Sequence, residues 1–269
     1  MNRSIGLKIL FILLFLLFTL TSCNAPFPNN PSFEEKVATN VSIAKTATVI
    51  QKYLLDATKT ANPIQNTPTP TPDNFKESLG MPAWKDELNN GGNWNLNTPN
   101  TDTPNVTTEI KNGSLVMSRS ITSGGKNWWL NIQKIQDFYL EGKFTTRECS
   151  SDDQYGLVFR ALNYKDGFGY YFTVTCDGNF NLMRRDTNGN VNLFNWEKSE
   201  AIQTGPNQTN DLGIWAKGGL IRLYANEKKI KEVTDSSIIN PGHFGLFIDS
   251  RQTPGFSIKL DEIAYWNLQ

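Results

Sequence analysis

From residue 107 to residue 266 the chain is written in short runs whose apolar and polar residues alternate, with turn residues between the runs. A period of two is that of a strand with one face in a core, and no convincing long helical period competes with it here. The pattern predicts strands at 107–110, 114–119, 128–132, 138–148, 155–162, 169–176 and 180–185. It continues at 210–217, 220–225, 228–234, 243–249 and 256–266. Asn112-Gly113, Asp177-Gly178 and Asn188-Gly189 are hairpin-type turns, where a residue that tolerates positive φ is needed. A dozen short antiparallel strands within residues 73–269 predict an all-β fold, a two-sheet jelly-roll sandwich.

Alternation also assigns faces. Tyr155, Leu157 and Phe159 point one way, as do Tyr170, Phe172 and Val174, and Phe138, Leu140 and Phe144. These sets are the expected inter-sheet core. If the three strands are neighbours, Glu141, Arg160 and Tyr171 share the exposed face. A guanidinium beside a carboxylate and a ring suits sugar recognition, because hydroxyls take its parallel hydrogen bonds and a pyranose face stacks on the ring. The plainer alternative is a cross-strand Arg160–Glu141 ion pair. Trp128-Trp129 has the same logic: one indole enters the core and the other stays outside, as a stacking platform or as a sheet-edge residue beneath a loop.

The first 72 residues read differently. Arg3 and Lys8 precede a run, residues 9–20, that is apolar apart from Thr19. That run falls short of the roughly 20 residues a membrane-spanning helix needs, and its flanks are those of a signal peptide over residues 1–22. Leu20-Thr21-Ser22-Cys23 resembles the lipobox of bacterial lipoproteins. The resemblance implies that Cys23 becomes the mature N-terminus and carries a diacylglyceryl group and an acyl chain such as palmitate, enough for stable membrane anchoring. It places the protein outside the cytoplasm, at the outer membrane or cell surface. Residues 23–60 form the anchor and a helical spacer, in which 32–59 lacks Gly and Pro and Ser32 with Glu35 makes a capping box. Residues 61–72 form a Thr/Pro linker whose alternating prolines favour a stiff, extended polyproline II stalk.

Composition narrows the partners. The 26 basic residues balance 26 acidic ones and no stretch concentrates charge, so nothing here favours nucleic acid. With Cys23 assigned to lipid, Cys149 and Cys176 remain. In an oxidising compartment they are either a disulfide, contributing roughly 3 kcal/mol through loop closure, or two buried thiols.

Within the strand region, Gln154-Tyr155-Gly156-Leu157-Val158-Phe159-Arg160, Gly169-Tyr170-Tyr171-Phe172-Thr173-Val174 and Asp177-Gly178-Asn179-Phe180 resemble bacterial concanavalin A-like jelly rolls. Gly213-Ile214-Trp215-Ala216-Lys217-Gly218-Gly219, Leu223-Tyr224-Ala225-Asn226, Val233-Thr234-Asp235 and Gly242-His243-Phe244-Gly245-Leu246 resemble the same pattern in laminin-G-like domains and in the 3-keto-disaccharide hydrolase family. The likeness runs from Trp84 to Trp266 and rests on fold-making glycines and core aromatics. It therefore implies the architecture more firmly than the chemistry.

Glycosidases of this fold need two carboxyls at a set separation, and Glu-x-Asp-x-Glu does not occur. Asp261-Glu262 would point to opposite faces of a strand. The single histidine, His243, and the absence of a Cys cluster offer no typical zinc site, and no Gly-x-Ser-x-Gly elbow is present. Asp152, Asp153, Asp166 and Asp177 lie in predicted turns, where Asp commonly serves the backbone, although laminin-G-like domains often hold calcium with such residues. No catalytic residue, metal ligand or cofactor is assigned. The leading expectation is a surface lipoprotein displaying a module that binds carbohydrate or another surface protein. A glycoside hydrolase and a purely structural envelope protein are the alternatives.

Overall fold

The computed structural model describes residues 75–96, 103–123 and 125–269. The signal peptide, Cys23, the helical spacer and the Thr/Pro linker lie outside the described residues. The described chain is an antiparallel β-sandwich of fifteen strands, and the expected two-sheet concanavalin A-like jelly roll is the fold observed.

Sheet A has the order β13-β12-β11-β5-β15-β3-β2, with β1 (Trp84–Asp86) pairing to the end of β15. Its strands are β2 (Val106–Ile110), β3 (Leu115–Arg119), β5 (Phe138–Thr146), β11 (Thr209–Lys217), β12 (Leu220–Ala225), β13 (Lys228–Thr234) and β15 (Phe256–Asn267). Sheet B has the order β10-β8-β7-β6-β14-β4, with β9 pairing to β8. It comprises β4 (Asn127–Ile135), β6 (Gln154–Ala161), β7 (Gly169–Thr175), β8 (Asn179–Asp186), β9 (Gly189–Asn192), β10 (Glu197–Lys198) and β14 (Gly242–Asp249). All twelve predicted strands are present. The three that alternation missed, β1, β9 and β10, are two to four residues long, too short to display a period.

The core forms where the inner faces meet. Phe138, Leu140 and Phe144 of β5 face Tyr155, Leu157 and Phe159 of β6 and Tyr170, Phe172 and Val174 of β7, all at most 1% exposed. Rings make much of this contact: Phe159 stacks on Tyr170 with centroids 5.1 Å apart, and Phe138 meets Phe159 edge-on at 6.1 Å. Each sheet also buries a smaller apolar cluster on its outer face. On sheet A the short helix α1 (Phe75–Ser78) lies across it.

Cys149 and Cys176 are joined, with Cα atoms 6.0 Å apart. The bridge links the crossing from β5 to β6 with the β7–β8 turn, close to the buried Asp153. The Asp153 carboxylate accepts backbone N–H bonds from Ser150, Arg251, Gln252 and Thr253 at 2.7–3.2 Å. Burial pushes its carboxyl pKa up, but hydrogen bonds from the Thr253 side chain and from the N–H groups of Gln252, Ser150 and Arg251 outweigh burial and hold it below the ordinary value.

Candidate functional site

The expected grouping of Glu141, Arg160 and Tyr171 on one exposed face is not what forms. Glu141 is on β5 in sheet A, while Arg160 and Tyr171 are on β6 and β7 in sheet B, because the chain crosses between the layers after β5. Glu141 faces outward, accepting from the Tyr139 hydroxyl at 2.6 Å and pairing with Lys76. Tyr171 is on the outer face of sheet B but wholly buried, donating to the Gly167 carbonyl at 2.7 Å and meeting Phe247 edge-on.

Arg160 departs furthest from expectation. Between the pairs Val158–Gly245 and Ala161–His243, two residues of β6 oppose one of β14, and Arg160 takes a left-handed φ of 49°. Such a bulge interrupts alternation. The guanidinium is fully buried and donates to the carbonyls of Gln136, Gly218 and Ile238 at 2.8–3.2 Å, with Asp137 at 3.5 Å. Burial lowers its pKa. Arg160 is therefore a staple for three loops at one end of the sandwich.

The adjacent tryptophans do part as alternation requires. Trp129 packs against the inter-sheet core, and Trp128 joins the outer-face cluster of Val158, Tyr171 and Phe247. Around them opens a cleft of about 550 Å³ between β4, the edge of sheet B, and β2–β3, the edge of sheet A. Its volume falls within the range of small-ligand sites, roughly 300–1,000 Å³.

Four pieces of local structure build this cleft. The first is the turn at 91–95, where Asp86 accepts from the Trp94 indole at 3.1 Å, the Asn93 amide at 3.1 Å and the Leu88 N–H at 2.7 Å. That fixes Trp94, whose carbonyl accepts from the Trp129 indole at 2.7 Å. The second is the buried Arg119, which donates to the carbonyls of Ile121 and Gly125 and to the Asn127 side chain, setting the approach to β4. The third is the inner face of β2 and β3, which contributes Val106, Thr108 and Met117.

The fourth is the β6–β7 loop. Asn163 caps it by accepting the N–H bonds of Lys165 and Asp166, each at 2.9 Å. Tyr164 and Lys165 then line the cleft, and the Tyr164 carbonyl accepts from the Trp128 indole at 3.1 Å. Gly167 has φ 63°, and a Cβ there would lie 2.6 Å from the Trp128 ring, so only glycine allows this packing. Tyr164 is 45% exposed and tilts over His243 at 4.3 Å. His243 is buried, with Nδ1 within 3.1 Å of the carbonyls of Asn131 and Gln133.

The accessible part of the described lining thus offers the Trp128 and Tyr164 rings, amides from Asn95 and Asn127, the Thr103 hydroxyl and the Lys165 ammonium, with Trp94 and Thr108 buried in the wall behind. Ring faces and convergent amides and hydroxyls can stack on and hydrogen-bond a polyhydroxylated ligand. The acidic residues considered earlier serve other purposes. Asp261 accepts from Ser114 and Thr145, Glu262 pairs with Lys85 at 2.9 Å, and Asp177 accepts from Asn179. No group of three or more His, Cys, Asp or Glu residues that could hold a metal occurs among the described residues. The contributions of Trp94, Tyr164 and Lys165 were not anticipated from the sequence. The legible signal was an aromatic-basic pair, Tyr164-Lys165, in a turn beside the Trp128-Trp129 strand.

No protein-family model matches the sequence, and no curated protein matches it either. Solved structures do. A protein of unknown function with a galectin-like fold from Bacillus subtilis aligns at 12% identity and TM-score 0.52, over 70% of this chain and 96% of that one. A point mutant of the GH43 protein BlXynB from Bacillus licheniformis aligns at 12% identity and TM-score 0.51. That match covers 68% of this chain and only 39% of the larger protein. The carbohydrate-binding module CBM66 from Bacillus subtilis aligns at 18% identity and TM-score 0.47, over 59% of this chain and 91% of the module. At such identities the first two similarities establish a shared jelly-roll fold.

Proposed function

We propose that this chain is a lipid-anchored surface protein whose jelly roll binds a glycan in the cleft around Trp128. The observation that carries the reading is the cleft itself, with the half-buried Trp128 and the exposed Tyr164 at its opening, the Trp94 and Trp129 indoles forming the wall behind them, and amide and hydroxyl groups between. Stacking and hydrogen bonding are what this lining supplies. Hydrolysis of a glycosidic bond asks for two placed carboxyl groups. The sequence around Cys23 supports attachment to the outer face of a membrane, with the Thr/Pro linker as a stalk.

A glycan array probed with the full chain in mild detergent tests the binding reading. Retention of a defined glycan without turnover is the expected result. Release of sugar would assign the cleft to a hydrolase of the 3-keto-disaccharide type, and silence across the array would leave a structural envelope protein. For the anchor, Cys23→Ser is expected to abolish labelling by palmitate and release the protein from membranes. A labelled, membrane-bound variant would refute it.

A further inference from the structure

Five cations sit over aromatic rings among the described residues, and their other partners divide them. Lys76 over Trp266 also pairs with Glu141, Arg222 over Trp215 pairs with Glu232, and Lys231 over Phe194 pairs with Glu197. Arg185, 5.0 Å from the Trp128 ring, and Lys126, 4.6 Å from the Phe247 ring, have no carboxylate partner among the described residues. Both lie on the outer face of sheet B, where Trp128 and Phe247 are cross-strand neighbours. Lys126 is held instead by the neutral amide of Gln154. Lys165, exposed on the cleft wall, likewise makes no ion pair among the described residues.

Carboxylates are close in sequence but already engaged. Asp249 is 3.0 Å from Arg251, Asp186 is 2.7 Å from Arg184, and Asp166 accepts from the Asn163 amide at 2.9 Å. The protein therefore gives its other ring-stacked cations a carboxylate in direct contact, whereas among the described residues Arg185 and Lys126 have none in contact, and Asp249 acts on Lys126 only at longer range. Half-buried cations without a counter-ion cost stability, and a guanidinium is matched in geometry to a carboxylate or sulfate. Burial acts on Lys126 in the same sense, pushing its pKa down to about 8 against the opposing pull of Asp249.

We infer that the cleft's ligand is an anionic saccharide, its carboxylate or sulfate group received by Arg185, Lys126 and Lys165 while a sugar ring packs at Trp128 and Tyr164. This assignment rests on the glycan-binding reading and adds the ligand's charge to it.

The test is calorimetric titration of the full chain in detergent at physiological ionic strength. The probes are polygalacturonate oligomers, sulfated galactan oligomers that carry no uronate, and carboxyl-reduced galactan oligomers, the first two separating a uronate from a sulfate as the recognised group. At least one acidic probe is expected to bind about tenfold or more tighter than the neutral one. Arg185→Gln and Lys165→Gln are each expected to cut that affinity about tenfold, the scale of one charge-assisted hydrogen bond. Circular dichroism melts confirm that both variants fold, and Lys165, being exposed, keeps the test readable if Arg185→Gln does not. Trp128→Ala separates the two readings. Neutral and acidic probes binding equally, with Trp128→Ala removing both, would overturn the anionic assignment and leave the glycan cleft standing. Acidic preference indifferent to Arg185→Gln and Lys165→Gln would also overturn it, and no binding by any probe would sink both.

Discussion

On the outer face of sheet A, Tyr139, Tyr224 and Trp266 lie beneath Phe75 and Leu79, and the Trp266 indole donates to the Gly80 carbonyl at 2.9 Å. On the outer face of sheet B, Trp128 and Phe247 lie among Val158, Tyr171 and Met183, and the chain leaves a cleft open beside them. Both faces combine rings with cations. On sheet A each such cation has a carboxylate, and the chain's own helix α1 covers the rings. On sheet B neither Arg185 nor Lys126 has one among the described residues. A face completed by its own chain is a structural solution, whereas one with a cleft beside its half-exposed Trp128 and cations lacking a contacting carboxylate has room for a ligand.

Four substitutions probe this contrast, from the largest expected effect to the smallest. Tyr139→Ala removes the ring at the centre of the closed face, where Phe75, Tyr224 and Trp266 all touch it. We expect a loss of about 3–5 kcal/mol in chemical denaturation. A loss below about 1 kcal/mol would mean that α1 does not close that face.

Lys126→Met should move stability in the opposite direction. The folded-state pKa of Lys126, about 8, lies below its ordinary 10.5, so the unfolded chain holds the proton more tightly. Stability should consequently rise with pH between about 8 and 10.5, and the penalty is fully present below pH 8. Removing the charge is expected to stabilise the protein by about 2 kcal/mol at pH 7 and to flatten that rise. It should also weaken acidic-glycan binding. Urea melts at pH 7 and pH 10 read the stability effect, and an unchanged or lower stability at pH 7 would contradict it.

Phe75→Ala should cost about 1–2 kcal/mol, since its ring is only half-buried, and should leave glycan affinity untouched. Tyr164→Ala is the converse. The residue is 45% exposed and its ring rests on His243, so stability should change by no more than about 0.5 kcal/mol while glycan affinity falls about tenfold. If Phe75→Ala weakened binding and Tyr164→Ala did not, the two faces would have been assigned the wrong way round.

The fold was legible because its signal is local. Alternation within Gly169–Thr175 or Phe138–Thr146 is set by the pleat and survives any tertiary context. It placed Phe138, Phe159 and Phe172 in the core, and Trp128 and Trp129 on opposite sides of their strand. The site was less legible, because each error arose from something non-local. Glu141 was grouped with Arg160 and Tyr171 on the assumption that successive strands pair, and the jelly roll sends β5 and β6 to different sheets. Arg160 turns inward at a bulge that only the register against β14 reveals. Tyr171 points to the predicted face, but that face is covered by the Trp128 indole and the β6–β7 loop. The cleft joins residues from 94 to 165 across two sheet edges, and no spacing in the sequence encodes that meeting.

Tryptophan-selective oxidation with and without a bound acidic glycan, read residue by residue by mass spectrometry, tests the central claim most directly. Trp128, in the open cleft, should be protected by ligand, while Trp215, on the opposite outer face with Arg222 stacked on it, should oxidise at the same rate in both states. Protection of Trp215 with Trp128 unchanged would place the ligand on sheet A and contradict the account.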